Sequence, residues 1–181
     1  MNLVEPIKDK EIVRSIIDYL KNDNERDSIL FLIGIYTGLR IGDILKLQVK
    51  DVAGKKSLNI RDTKTKKSNR LEFNQELKKA LDHYTNNKSS EEFLIISKKG
   101  NNKPITRGQA YKILKKVANL YNIDNIGTHS MRKTFGYHLY NQTKDIVQVQ
   151  KALNHSDASY TRRYIGIDSE IINKSIKKLR Y

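Results

Sequence analysis

The feature that most constrains this chain is a helical apolar rhythm that runs almost end to end and is broken once, by a lysine-rich polar turn. Ile12, Ile16, Ile17 and Leu20 recur at helical spacing after Asp9, which can cap the helix. Ile29, Leu32, Ile33 and Tyr36 repeat the pattern as far as Gly38, a natural helix stop. Ser57 to Arg61 and Arg70 to Phe73 read as short strands instead, around the turn Thr63-Lys64-Thr65-Lys66-Lys67-Ser68-Asn69. That arrangement predicts a hairpin, with Phe93 to Ile96 as a candidate third strand. Helical spacing resumes at Gln75 to Tyr84, Thr106 to Tyr121, His129 to Tyr140, Asp145 to Leu153 and Ser169 to Leu179. The expected fold is mainly α with a small antiparallel β-hairpin or three-stranded sheet. A single domain over residues 1–181 is expected, because this length can bury a sizeable core and no Pro/Gly/Ser linker divides it.

Charge narrows the partner. Lys and Arg number 35 against 20 Asp and Glu, a formal net charge of +15 and a pI near 9.8. An excess of that size concentrates phosphates at the surface and makes nucleic-acid binding strongly salt-dependent, whereas small-molecule enzymes rarely need it. Surface lysines alone can inflate charge, so composition by itself leaves room for a merely basic domain. With no cysteine, disulfides and thiolate metal sites are excluded and a reducing compartment is compatible. The longest apolar run, Ile29 to Tyr36, ends at Gly38-Leu39-Arg40, too short to cross a bilayer. No secretory signal is recognised. The expectation is a cytoplasmic, nucleoid-associated protein without a membrane partner.

The chemistry-bearing residues cluster late. His129-Ser130-Met131-Arg132 opens a helical segment, Leu153-Asn154-His155 follows an apolar stretch, and Tyr164 sits in the basic segment Ser159 to Gly166. Thr128 can cap the His129 segment, which would place His129 and Arg132 on one face of its first turn, where the helix N-terminus favours an anion. Taken alone, His129 and Arg132 describe any surface pair sharing a helix face. Asn154 tolerates the left-handed conformation that ends helices, so His155 is expected to begin a turn and be held in place. His138 reads as a core histidine near Phe135 and Leu139. Coordination of a metal by His129, His138 and His155 is opposed by the nearby arginine and lysine, and no carboxylate sits at ligand spacing.

The chain has ten tyrosines, so any one of them is more often packing than chemistry. A phenol is a poor nucleophile at its reference pKa of about 10 and needs a base and positive charge around it. Tyr164 has such neighbours. Tyr160, one helical turn earlier, is the competitor and is expected to be structural.

Together, Thr37-Gly38-Leu39-Arg40-Ile41-Gly42-Asp43, the Thr63-Lys64-Thr65 turn, Thr128 to Phe135, Leu153-Asn154-His155 and Tyr164 resemble the ordered signature of the tyrosine recombinases, the phage integrase family. The resemblance spans nearly the whole chain from Leu3 onward. It implies a helical catalytic domain acting on double-stranded DNA, in which Tyr164 attacks the scissile phosphate, forms a 3′-phosphotyrosine and frees a 5′-hydroxyl. Cleavage and rejoining then serve site-specific recombination of the integration, excision or inversion type, without metal or cofactor.

Carried over by position, the resemblance has Arg40 and Arg132 clamp the non-bridging oxygens. His129 assists proton movement at the tyrosine, His155 donates a hydrogen bond to the phosphate, and Lys64 protonates the leaving oxygen. Asp43 supports the groups near Arg40. Asn154 stands where glycine is common, Asp43 where a longer glutamate is common, and Lys133 where a histidine is frequent. The resemblance also implies a monomer that assembles into a tetrameric synapse on DNA. Family members usually carry a helical core-binding domain ahead of this one, which is absent from this chain; it is either an excised catalytic domain or resembles the short inversion recombinases. A helical DNA-binding module without catalysis is the alternative reading. A metal-dependent nuclease would need clustered carboxylates, which the sequence lacks.

Overall fold

In a computed structural model of the chain, residues 4–61 and 68–180 are described. The turn holding Lys64, Lys66 and Lys67 lies outside them. Helix α1 (Lys10–Asp23) starts where expected: the Asp9 carboxylate accepts from the Glu11 and Ile12 amides. It buries Ile16, Ile17 and Leu20 against α2 (Glu25–Thr37). Full burial of each such side chain contributes about 1.5–3 kcal/mol. Helix α2 is apolar nearly all round, with Ile29 to Ile35 buried throughout, so it forms the centre of the domain and not a flank.

Two short helices, α3 (Ile41–Ile44) and α4 (Val49–Val52), then lead into β1 (Ser57–Arg61) and β2 (Ser68–Glu72). These pair antiparallel with Leu58 opposite Leu71 and Ser57 opposite Glu72. Phe93 to Ile96 does not add a third strand. Leu94 and Ile95 are both fully buried, and the segment is held by isolated bridges, Gln48 to Phe93 and Ile96 to Pro104. Proline has no amide hydrogen to extend a ladder, so the second bridge stops there.

Helix α5 (Gln75–Thr85) packs on α2, and α6 (Arg107–Leu120) begins with a reciprocal Thr106 and Gln109 capping box. Helices α7 (Ser130–Thr143), α8 (Ile146–Ala152), α9 (Ala158–Ile165) and α10 (Asp168–Ile176) complete the chain. Two apolar clusters result, a large one around α2 and a small one of Val149, Leu153, Ile165 and Ile167. Helix α7 bridges them, with Met131 in the first and Phe135 against the second. The seam between the clusters is where the candidate site lies.

Candidate active site

Gly38 ends α2 in the left-handed region at φ +66, which turns the chain sharply before Arg40. A side chain there would also collide with Phe135 of α7, since a Cβ would fall 2.4 Å from its ring. Arg40 is extended and caps α3; its carbonyl accepts from the Asp43 amide at 2.8 Å and the Ile44 amide at 3.0 Å. Arg132, on the first turn of α7, is buried, with 5 % of its surface exposed. Its Nη1 donates to the Gly38 carbonyl at 2.5 Å and its Nη2 to the Leu153 carbonyl. One guanidinium therefore ties the end of α2 to the end of α8. The two carbonyls compensate the desolvation of a charge that would otherwise be costly to bury.

His129 is the residue before α7 and not part of its first turn; it caps the helix in αR conformation without a side-chain bond, and Thr128 does not cap. The start is held instead by Ser130, whose amide donates to the Gly127 carbonyl and whose hydroxyl accepts from the Gly127 amide. His129 keeps an edge open to solvent. Desolvation nonetheless pushes its imidazole below the ordinary value, and the charges of Arg132, Arg40, Lys133 and Arg107 push the same way. It is therefore neutral at pH 7.

Asn154 takes φ +51, as its residue type permits, and turns the chain after α8. The His155 amide donates to the Gln150 carbonyl at 2.9 Å. Thr161 gives its hydroxyl proton to the Asp157 carbonyl at 2.8 Å, so its oxygen accepts from His155 Nδ1–H at 3.1 Å. That bond selects the tautomer and leaves Nε2 as the ring's other polar atom.

Helix α9, capped by Asp157 and closed by Gly166, presents Tyr160 and Tyr164 along one stripe and buries Thr161 and Ile165 along the adjoining one. The Tyr164 hydroxyl lies 3.5 Å from His129 Nδ1. The Lys133 ammonium stands 5.1 Å from the Tyr164 ring centre. Burial pushes the phenol up from its ordinary value, while Arg132 and Arg40 pull it down. The hydroxyl is neutral at pH 7, beside a neutral imidazole able to accept its proton.

Arg40, His129, Arg132, Asn154, His155, Ser156, Tyr160 and Tyr164 line one cleft of about 410 Å³. No acidic side chain is among them, and the start of α7 adds the partial positive charge of a helix N-terminus. The chemistry suits an anion with tetrahedral oxygens. Asp43 is on α3 just past Arg40 and does not line the cleft. Lys64 lies outside the described residues. His138, half-buried on α7, bonds the Ile7 carbonyl through Nε2 at 3.0 Å, away from the cleft. Among the described residues no cluster of three or more His, Asp or Glu could hold a metal ion, and no helix is long and apolar enough to cross a membrane.

Arg107 was not singled out by sequence. It opens α6 next to α3, where a Cβ on Gly42 would fall 2.6 Å from its guanidinium, and its charge reaches His129. The only sequence signal was Gly42 itself, a small residue beside Arg40.

The profile of the phage integrase family matches residues 7–170. A probable integrase/recombinase of Bacillus subtilis, YoeC, is 45 % identical over 177 residues, covering 98 % of this chain and 97 % of that protein. Tyrosine recombinase XerC of Staphylococcus epidermidis is 27 % identical, and the match covers 96 % of this chain and 64 % of XerC. Among solved structures, XerA recombinase superposes with a TM-score of 0.76 at 19 % identity over 98 % of this chain and 67 % of that one. XerH in a post-cleavage complex with its palindromic difH substrate superposes at 0.74, also at 19 % identity, over 97 % and 53 %. The fold is the one these recombinases share. The chain spans about half to two thirds of those structures and of XerC.

Proposed function

The chain belongs to the phage integrase family, and from that premise we propose that it is a site-specific DNA recombinase that cuts and rejoins DNA through a 3′-phosphotyrosyl intermediate. The observation that carries this reading is the Tyr164 hydroxyl 3.5 Å from Nδ1 of His129, in a cleft lined by two arginines. Arg40 and Arg132 hold the non-bridging oxygens of the scissile phosphate and stabilise the charge that builds up on them. The Tyr164 oxygen attacks phosphorus, its proton passes to His129, and the bond from phosphorus to the 5′-oxygen breaks. The cations that depress His129 are partly neutralised when a phosphate sits between them, which raises its proton affinity when it must accept. His155 donates a hydrogen bond to the phosphate, its ring held in place by the Nδ1 contact with Thr161. Lys64 delivers a proton to the leaving oxygen, and Asp43 supports Arg40 from α3. A 5′-hydroxyl of a partner strand reverses the attack.

Double-stranded DNA is the partner, in keeping with the net charge of +15. Assembly on DNA is into a tetramer. The exposed apolar residues Ile171, Ile172 and Ile176 of α10 give such an assembly a contact surface. A non-catalytic DNA-binding module would leave the juxtaposed phenol and imidazole without a use.

The test begins with covalent capture of the target site from a library of randomised nicked duplexes. Two copies of that site are then placed on one plasmid. Deletion or inversion between them by the chain, or by the longer protein if it is a fragment, and none with Tyr164→Phe, is expected. Retention of duplexes from that library with no covalent adduct and no strand breakage would overturn the reading.

A further inference from the structure

Tyr160 lines the cleft, yet belongs to neither apolar cluster and keeps 48 % of its surface exposed. Core packing therefore does not account for a large ring at this position. What the ring touches is specific. It stacks on Tyr164 with centroids 5.9 Å apart and planes at 29°. It also meets His155 edge-on at 4.9 Å and 71°. His155 in turn meets Tyr164 edge-on at 4.9 Å and 85°. Three rings thus close on one another, two from α9 and one from the turn after α8. The Lys133 ammonium also lies over the Tyr164 ring, 5.1 Å from its centre.

Spacing on the helix explains how this arises. Tyr160 and Tyr164 are one turn apart on a face adjoining the buried Thr161 and Ile165, so their rings are neighbours by construction. The second apolar cluster, against which Tyr164 packs, leaves its ring partly buried, and any remaining swing about χ1 would carry the hydroxyl away from His129. A flat ring on its face removes that freedom at little entropic cost, because an aromatic side chain has only two torsions.

Resting on the reading of Tyr164 as nucleophile, we propose that Tyr160 is a positioning residue for cleavage: its ring, stacked on Tyr164 and edge-on to His155, holds the attacking phenol and the phosphate-binding imidazole in mutual register. The hydroxyl of Tyr160 has no part in this role; the aromatic face does. Ring contacts of this kind are worth enough to move a rate by about tenfold when the held conformer is the reactive one.

The experiment measures single-turnover cleavage of the captured nicked duplex at saturating protein, with affinity for the same duplex measured in parallel. Tyr160→Leu keeps a good helix former of similar bulk but has no aromatic face. Tyr160→Phe keeps the face and loses only the hydroxyl. Tyr160→Leu is expected to slow cleavage about tenfold with affinity within about twofold, and Tyr160→Phe to restore most of the rate. Equal rates for the leucine and phenylalanine variants would overturn the proposal, since bulk alone would then suffice. So would a loss of affinity with an unchanged rate, which would make Tyr160 a DNA contact. Absence of the covalent adduct in Tyr160→Phe would make Tyr160 the nucleophile itself. Tyr164→Phe in the same assay separates the two levels: an adduct there overturns the assignment of Tyr164 whatever the Tyr160 variants do.

Discussion

Gly38→Ala is expected to destabilise the chain by about 2–5 kcal/mol, well beyond the usual cost of a surface substitution. The first part is conformational. At φ +66 an L-residue is held in the left-handed region, at a cost of about 1–2 kcal/mol. The second part is steric, because the new methyl would lie 2.4 Å from Phe135 Cδ1 and 2.9 Å from Cε1. The ring must move, and forced overpacking costs about 1–3 kcal/mol. Phe135 is one turn beyond Arg132, whose Nη1 bonds the Gly38 carbonyl, so the displacement also pulls on the clamp. Gly54 provides the reference. It too has positive φ, +67, but no atom lies within 4 Å of a Cβ there, so Gly54→Ala carries the conformational part alone.

Urea unfolding followed by far-UV circular dichroism separates the two. With slopes of about 1–3 kcal/mol per molar, the midpoint of Gly38→Ala should lie below that of Gly54→Ala by about 1 M. Adding Phe135→Leu to Gly38→Ala should recover part of the steric share. Equal midpoints for the two alanine variants would refute the claim that Phe135 fills the space beside Gly38.

Stability should also depend on pH in a defined window. Burial holds both His129 and His138 below the ordinary imidazole value of 6.5, so between that value and the folded ones the unfolded chain binds more protons. Their contribution is complete above about pH 6.5 and is lost as pH falls towards the folded values. The urea midpoint should fall between pH 7.5 and 5.5 and fall less in a His129→Gln, His138→Gln variant; equal slopes would contradict this. Lys64→Ala should cleave ordinary DNA about 10²-fold more slowly, yet cleave a duplex with sulfur as the bridging 5′ atom almost as fast as the unaltered chain, because a thiolate leaves without a proton. Rescue of Lys66→Ala or Lys67→Ala instead would move the acid to another lysine of the turn.

The long elements were legible because one-sided apolar spacing is a local property, and α5, α6 and α8 fall within a residue of the segments Gln75 to Tyr84, Thr106 to Tyr121 and Asp145 to Leu153. Helices α3 and α4 have four residues each, too few to show a period. Phe93 to Ile96 has strand composition, but whether it finds a ladder depends on Pro104 and the Gln48 turn, which are distant in sequence. Thr128 has the right residue type for a cap, yet the Ser130 hydroxyl reached the Gly127 amide instead.

Within the site, residue type and order pointed to Arg40, His129, Arg132, His155 and Tyr164. The buried bonds of Arg132 to Gly38 and Leu153, the approach of Arg107 to Gly42, and the ring contacts of Tyr160 with His155 were not legible. Each is a tertiary contact between segments whose local patterns say nothing of one another.

The central claim is that Tyr164 becomes covalently joined to DNA. Incubating the chain, or its longer parent, with the captured nicked duplex in the presence of a chelator traps any such intermediate, because the short cleaved strand diffuses away. Digestion and mass spectrometry of the adduct then identify the linked residue. The account predicts a nucleotide on the peptide containing Tyr164, formed without divalent metal and absent from Tyr164→Phe. An adduct on Tyr160 or another residue, or cleavage that leaves no adduct and requires a metal ion, would contradict it.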